Sequence, residues 1–155
     1  MTNPLLTPFS LPPFSAIRPE DIVPAVQSAL ADCRAAVERV VAQPGPFTWD
    51  NLCQPLAESD DRLSRIWSPI GHLNSVKNSP ELRAAYEQAL PLLSEYGTWV
   101  GQHEGLYQAY RSLKEGAAFE ALSVPQRKAV DNALRDFELS GIGLSADKQQ
   151  RYGEI

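Results

Sequence analysis

Residues 22–41 read IVPAVQSALADCRAAVERVV, and this stretch decides the fold. Ile22, Val26, Ala29, Leu30, Cys33, Val37, Val40 and Val41 recur at helical spacing, while Gln27, Asp32, Arg34 and Glu38 fall outside the series. Side chains three and four apart share one face of an α-helix, so the pattern is an apolar stripe with a polar back. A strand would instead alternate at every second residue, and no strand-length alternation occurs anywhere in the chain. Pro24 places the regular helix after its first turn, and Gln43-Pro44-Gly45-Pro46 stops it.

Towards the N-terminus, residues 1–18 carry Pro4, Pro8, Pro12 and Pro13 among Leu5, Leu6, Phe9, Leu11, Phe14 and Ile17. This composition predicts an extended arm tied down by its apolar side chains, with residues 19–155 forming a helical domain. Towards the C-terminus, Thr48 is a suitable N-cap for a second helix carrying Trp49, Leu52, Cys53, Leu56, Leu63, Ile66, Trp67, Ile70 and Leu73. Pro55 and Pro69 lie inside that span and predict a helix that is curved or broken into pieces. Ser59 interrupts the stripe where Leu or Ile is expected, which points to a close helix crossing or else to a polar site.

Ser79-Pro80 starts a third helix, with Ser as N-cap and Pro at the first helical position. Leu82, Tyr86, Ala89, Leu90, Leu93, Gly97 and Val100 form one face of it, and Ala85, Leu92, Tyr96 and Trp99 a second, with Pro91 predicting a kink. A fourth helix over roughly residues 102–116 presents Leu106, Tyr107, Tyr110 and Leu113 on one side. Ser123 and Gln126 make a capping box for a fifth, whose core face is Val130, Ala133, Leu134 and Phe137 and which ends at Ser140-Gly141. Ser145 caps a sixth that reaches Ile155 without a stop signal, so the sequence reads as cut inside its last helix. The fold class is all-α: a mostly antiparallel helical bundle of about six helices with an extended N-terminal arm.

Composition narrows the function. Among 155 residues, 43% are hydrophobic and 21% charged, which suits one globular domain. The 14 Lys and Arg are scattered among 19 Asp and Glu, giving a formal charge of -5 without a basic stripe, so nucleic acid is an unsuitable partner. Residues 1–14 have neither the basic start nor the apolar run of a secretory signal, and no window approaches a membrane span. Cys33 and Cys53 sit at helix-spaced apolar positions and read as reduced core cysteines. A cytoplasmic protein is expected.

Motifs of catalysis are sparse. His103-Glu104 matches the first half of His-Glu-x-x-His, in which two imidazoles one turn apart hold zinc and the Glu activates its water, but Tyr107 stands where the second His is needed. Gly105 also weakens the helix such a site requires, so His103 reads as a polar-face or capping residue. His72, among Trp67, Ile70 and Leu73, reads as a hydrogen-bonded interior or boundary histidine. Asp60 and Asp61 are adjacent, point to different helix faces and read as a solvated pair rather than a shared-proton site. No phosphate loop, nucleophile elbow or Cys-x-x-Cys pair is present.

Several stretches carry more information than their periodicity. Asn3-Pro4-Leu5-Leu6, Leu11-Pro12-Pro13-Phe14, Ile17-Arg18-Pro19-Glu20, Thr48-Trp49-Asp50-Asn51-Leu52, and the run from His72-Leu73-Asn74-Ser75 through Ser79-Pro80-Glu81-Leu82-Arg83 resemble the start of thimet-oligopeptidase-like zinc metallopeptidases. Leu134-Arg135-Asp136-Phe137-Glu138-Leu139-Ser140-Gly141 resembles a segment shared widely in that family. The resemblance covers essentially this whole chain but only about the first quarter of such an enzyme. It implies a zinc-dependent hydrolase of internal bonds in short peptides, whose N-terminal helices form part of the wall of a deep channel. Zinc would be held by a His-Glu-x-x-His helix and a downstream Glu, all beyond residue 155, in a C-terminal catalytic domain that this chain lacks. No catalytic, cofactor-binding or metal-binding residue therefore transfers to any position here, and the chain alone is expected to be inactive and to bind no zinc. The alternative is a free-standing helical protein-binding module, whose double-faced third helix would dock a partner.

Overall fold

The first helix opens at Pro19, where the helical body was expected to begin, and is regular ahead of Pro24 in the computed structural model, which describes residues 2–153. Asp21 explains this start: its Oδ2 accepts the Arg18 amide hydrogen at 3.0 Å, and its own amide donates to the Arg18 carbonyl at 3.0 Å. Pro19 at the first helical position gives up only an N–H that would lack an intrahelical partner. Pro24 consequently lies inside the helix, exposed, and removes a single bond near the terminus instead of delaying the helix.

Seven α-helices and one π-helical turn follow one another among the described residues, with no strand: α1 (Pro19–Ala42), the π-turn (Trp49–Cys53), α2 (Gln54–Val76), α3 (Pro80–Gly101), α4 (Glu104–Glu115), α5 (Ala117–Glu120), α6 (Val124–Leu139) and α7 (Ala146–Gly153). The all-α expectation is borne out, and the element beyond the six expected helices is α5, a single turn. The π-turn replaces the first turn of the expected second helix. Thr48 Oγ1 accepts the Asn51 amide hydrogen at 3.2 Å while Asn51 Oδ1 accepts that of Thr48 at 2.8 Å, a reciprocal cap. Pro55 then stands second in α2, where the bonding pattern changes, so its missing amide does not break a regular helix.

Packing divides the chain into two compact units. The first comprises the chain up to Arg34 together with Glu58–Ser94. Its buried residues include Ile22, Val26 and Leu30 from α1, Ile66, Ile70 and Leu73 from α2, and Leu82, Ala85 and Ala89 from α3. Trp67 and Tyr86 stack with ring centroids 4.8 Å apart. The arm is held differently from the expected row of apolar anchors. Among the described arm residues only Leu5 is fully buried, at 2% exposure; Phe9 and Ile17 are half-buried, whereas Leu11 is 81% exposed and Leu6 and Phe14 are also exposed. Polar bonds add to this: Asn3 Nδ2 donates to the Asp21 carbonyl at 2.8 Å, Asn3 Oδ1 accepts from the Leu5 amide at 3.0 Å, and Arg65 Nη1 donates to the Phe9 carbonyl at 3.3 Å. Two turns, at residues 4–6 and 14–16, break its extended run.

The second unit comprises Ala35–Ala57 together with the chain from Glu95 onward. Here α4 packs against α5, α6 and the π-turn. The shared core contains Val37, Val40, Leu52, Leu106, Leu113, Phe119, Val130 and Phe137. Trp99 and Val100 pack against it from α3, so the two faces expected on α3 are not separate: Trp99 from the second face meets this core, while Leu90 from the first is 43% exposed. The Ser79 cap of α3 is as expected, with Oγ accepting the Leu82 amide hydrogen at 3.1 Å.

At the end of α6 the chain turns through Gly141, whose φ of +82° is costly for a residue bearing a Cβ. The Ile142 amide donates to the Phe137 carbonyl at 3.3 Å and the Gly141 amide to Glu138 at 3.1 Å, which satisfies the last carbonyls of α6. α7 then begins after Ser145, as expected, with no buried residue. Its expected continuation to Ile155 lies outside the described residues.

Candidate functional site

His103 stands between α3 and α4 and is the one residue whose neighbours resemble a catalytic motif. Its backbone is extended, at φ −81° and ψ 96°, and its Nδ1 accepts the Leu106 amide hydrogen at 3.1 Å. An imidazole can accept there only with its proton on the other nitrogen. Nε2 therefore carries the hydrogen, and it faces Glu38 Oε1 at 3.4 Å. The ring meets the Trp99 ring edge-on, with centroids 4.9 Å apart and planes at 87°. The capping reading of His103 is the one that the geometry supports.

These contacts do not fit a zinc site. The Nδ1 lone pair that a metal would need is engaged by a backbone amide. Tyr107, at the position of the second imidazole, directs its ring to Phe137 at 5.8 Å, and the Arg111 guanidinium lies 5.9 Å over it. Gly105 has a packing role: a Cβ there would fall 2.7 Å from Val41 Cγ1 and 3.3 Å from His103 Cε1. Among the described residues, no three His, Cys, Asp or Glu side chains cluster as metal ligands would.

The remaining candidates separate in the same way. Ser59, 2% exposed, donates from Oγ to Cys33 Sγ at 3.3 Å, so the interruption in the α2 stripe is a close approach to α1 with its polar atom satisfied. Burial pushes the Cys53 thiol up to about 11, against a smaller opposing effect from a hydrogen bond with Tyr110. A thiol held neutral is a weak nucleophile and metal ligand. Asp61 pairs with Arg65 at 3.0 Å, whereas partial burial raises the Asp60 carboxyl above its ordinary range, so the adjacent acids have different surroundings. His72, expected as a hydrogen-bonded interior or boundary residue, is exposed, with its ring 5.3 Å from that of Phe14.

One crevice is built into the first unit, between residues 5–9 of the arm and the facing sides of α1 and α2, with a volume of about 350 Å³. Its lining is mainly apolar, with Asp32, Arg62 and Arg65 as the charged residues.

Among the described residues, neither histidine joins a third metal-ligating or acidic side chain in a cluster. A family model described as Neurolysin/Thimet oligopeptidase, N-terminal domain, matches residues 23–149. The chain belongs to this family. This thimet oligopeptidase N-terminal domain is 76% identical over its whole length to "Oligopeptidase A" of Salmonella typhimurium and 75% identical to that of Escherichia coli. "Probable cytosolic oligopeptidase A" of Arabidopsis thaliana is 33% identical over 99% of the chain. The chain spans 23% of the length of each bacterial relative and 22% of the plant one. The His103-Glu104 pair and its Tyr107 all fall inside the matched region.

Proposed function

We propose that this domain forms part of the wall of a zinc-dependent oligopeptidase that hydrolyses internal bonds of short peptides, with residues 1–18 as its arm and residues 19–155 as its helical body. The observation that carries the reading is the 76% identity to an oligopeptidase A over all 155 residues, together with the match to the N-terminal domain of the family. Zinc, and the Glu that takes a proton from its water, belong in this account to a partner catalytic domain outside residues 1–155. The residues present do not fit zinc, so the contribution of this chain is geometric. A helical wall beside the reacting bond admits unfolded short peptides and excludes folded proteins by sterics.

Capped helix ends suit that role, because a wall selects by shape only if it holds its shape. No helix among the described residues is long and apolar enough to cross a membrane. The cytoplasm is the proposed compartment. No specific observation favours a free-standing binding module.

The test is the product of a reading frame that joins this chain to its catalytic partner domain, assayed on quenched-fluorescent short peptides and on a folded protein. The reading expects cleavage of the peptides only, loss of activity on chelation and recovery with zinc. Cleavage that is insensitive to chelation would contradict the zinc assignment. Equal cleavage of the folded protein would contradict the wall.

A further inference from the structure

The crevice under the arm has the volume of a small-molecule site, about 350 Å³. Small residues line it from both helices. Ala29 on α1 and Ser59 on α2 occupy stripe positions that a Leu or Ile would fill, and the Ser59 hydroxyl is already committed to Cys33. Leu5, Pro8 and Phe9 line it from the arm and Ile66 from α2. Arg65 ties the arm to α2, bonding both the Phe9 carbonyl and Asp61.

Two charges at the crevice are left over. Asp32 and Arg62 both line it, and neither makes an ion pair or hydrogen bond with any described residue. An apolar hollow that carries one unpaired acid and one unpaired guanidinium is complementary to a molecule with an ammonium, a carboxylate and a hydrocarbon side chain. We propose that this crevice binds a short apolar zwitterion, a free apolar amino acid or a dipeptide. The carboxylate pairs with Arg62, the ammonium with Asp32, and the side chain lies over Ala29 and Ile66. The inference rests on the crevice alone and stands or falls separately from the peptidase reading.

Titration calorimetry of the full chain with leucine and with leucyl-leucine tests it, the two ligands deciding between amino acid and dipeptide. N-acetyl-leucine amide, which has neither charge, is the control. Saturable binding of one zwitterion per chain is expected, weakened about tenfold in Arg62→Ala and in Asp32→Asn, and similarly weak for the control. Ala29→Leu, which fills the hollow, should abolish binding. The charge variants are at exposed positions and keep the test meaningful should Ala29→Leu not fold. Failure of both zwitterions to saturate, equal binding of the blocked control, or undiminished binding in a folded Ala29→Leu chain would each overturn the proposal.

Discussion

His103 Nδ1 accepts the amide hydrogen of Leu106 at 3.1 Å, and this contact gives the histidine a structural task. A cap of this kind satisfies one of the orphan donors at a helix start and is worth about 1 kcal/mol. His103→Ala should lower the stability of the chain by that order in urea unfolding, and His103→Asn should recover most of it, because an amide oxygen also caps. Loss of stability in both variants would mean that the imidazole does something other than cap.

Gly105 tests the same corner from the packing side. Alanine normally improves a helix by up to about 1 kcal/mol over glycine. Here its Cβ would meet Val41 Cγ1 at 2.7 Å, and forcing an extra carbon into a filled site costs about 1–3 kcal/mol. Gly105→Ala is therefore expected to destabilise on balance, measured by the same unfolding midpoint; a stabilised variant would show that Val41 yields freely.

The arm offers a contrast between two leucines. Leu5 is 2% exposed and Leu11 is 81% exposed. Truncating a buried leucine to alanine costs about 2–5 kcal/mol, whereas an exposed change stays within about 0.5 kcal/mol. Leu5→Ala should lower the melting temperature clearly and Leu11→Ala should leave it unchanged. Equal effects would mean that the arm is anchored elsewhere along its length.

That contrast also marks what was legible in the sequence. Helix identity was readable wherever a cap and a stripe coincided, as at Ser79-Pro80, at Ser123 with Gln126 and along residues 22–41. Periodicity cannot show which of several apolar residues in a Pro-rich arm meets the core, since that depends on turns and on distant partners such as Arg65. Pro24 was expected to hold back the regular part of α1, whereas the local cap that Asp21 gives the Arg18 amide, three residues away, already starts it at Pro19. The π-turn was hidden for a related reason: a widened turn keeps the same apolar residues near the same face. The negative part of the His103 reading was legible, because Tyr107 removes a ligand whatever the fold. The crevice was not, since it lies where small residues on two helices face one strip of arm.

Cys53 gives a pH dependence. Its thiol rises from an ordinary 9.0 to about 11 because burial disfavours the thiolate. Above the unfolded value the unfolded chain loses the proton that the folded chain keeps, so stability is full below about pH 9 and falls as pH rises towards about 11. The decline should be on the order of 2 kcal/mol and should be absent from Cys53→Ala relative to the parent slope. The same thiol should resist a disulfide reagent near pH 8 until the chain is unfolded; rapid labelling of the native protein would contradict its burial.

α7 should be the least protected helix. It buries no side chain and is tied by Gln149, whose Nε2 donates to the Ile142 carbonyl at 2.9 Å and to that of Leu144 at 3.1 Å. A helix this short cannot repay nucleation from propensity. Hydrogen exchange should proceed early from Asp147 onward while the amides of Ala29 to Val37 remain protected. Equal protection of both segments would require anchoring of α7 beyond these bonds.

The claim that this chain is wall and not reaction centre is tested most directly by peptide turnover of the full 155-residue chain supplied with zinc. The account predicts no hydrolysis of a quenched-fluorescent oligopeptide above the buffer rate, since His103 spends its lone pair on Leu106 and Tyr107 stands where a second imidazole is needed. Zinc-dependent turnover that disappears in His103→Ala would contradict it.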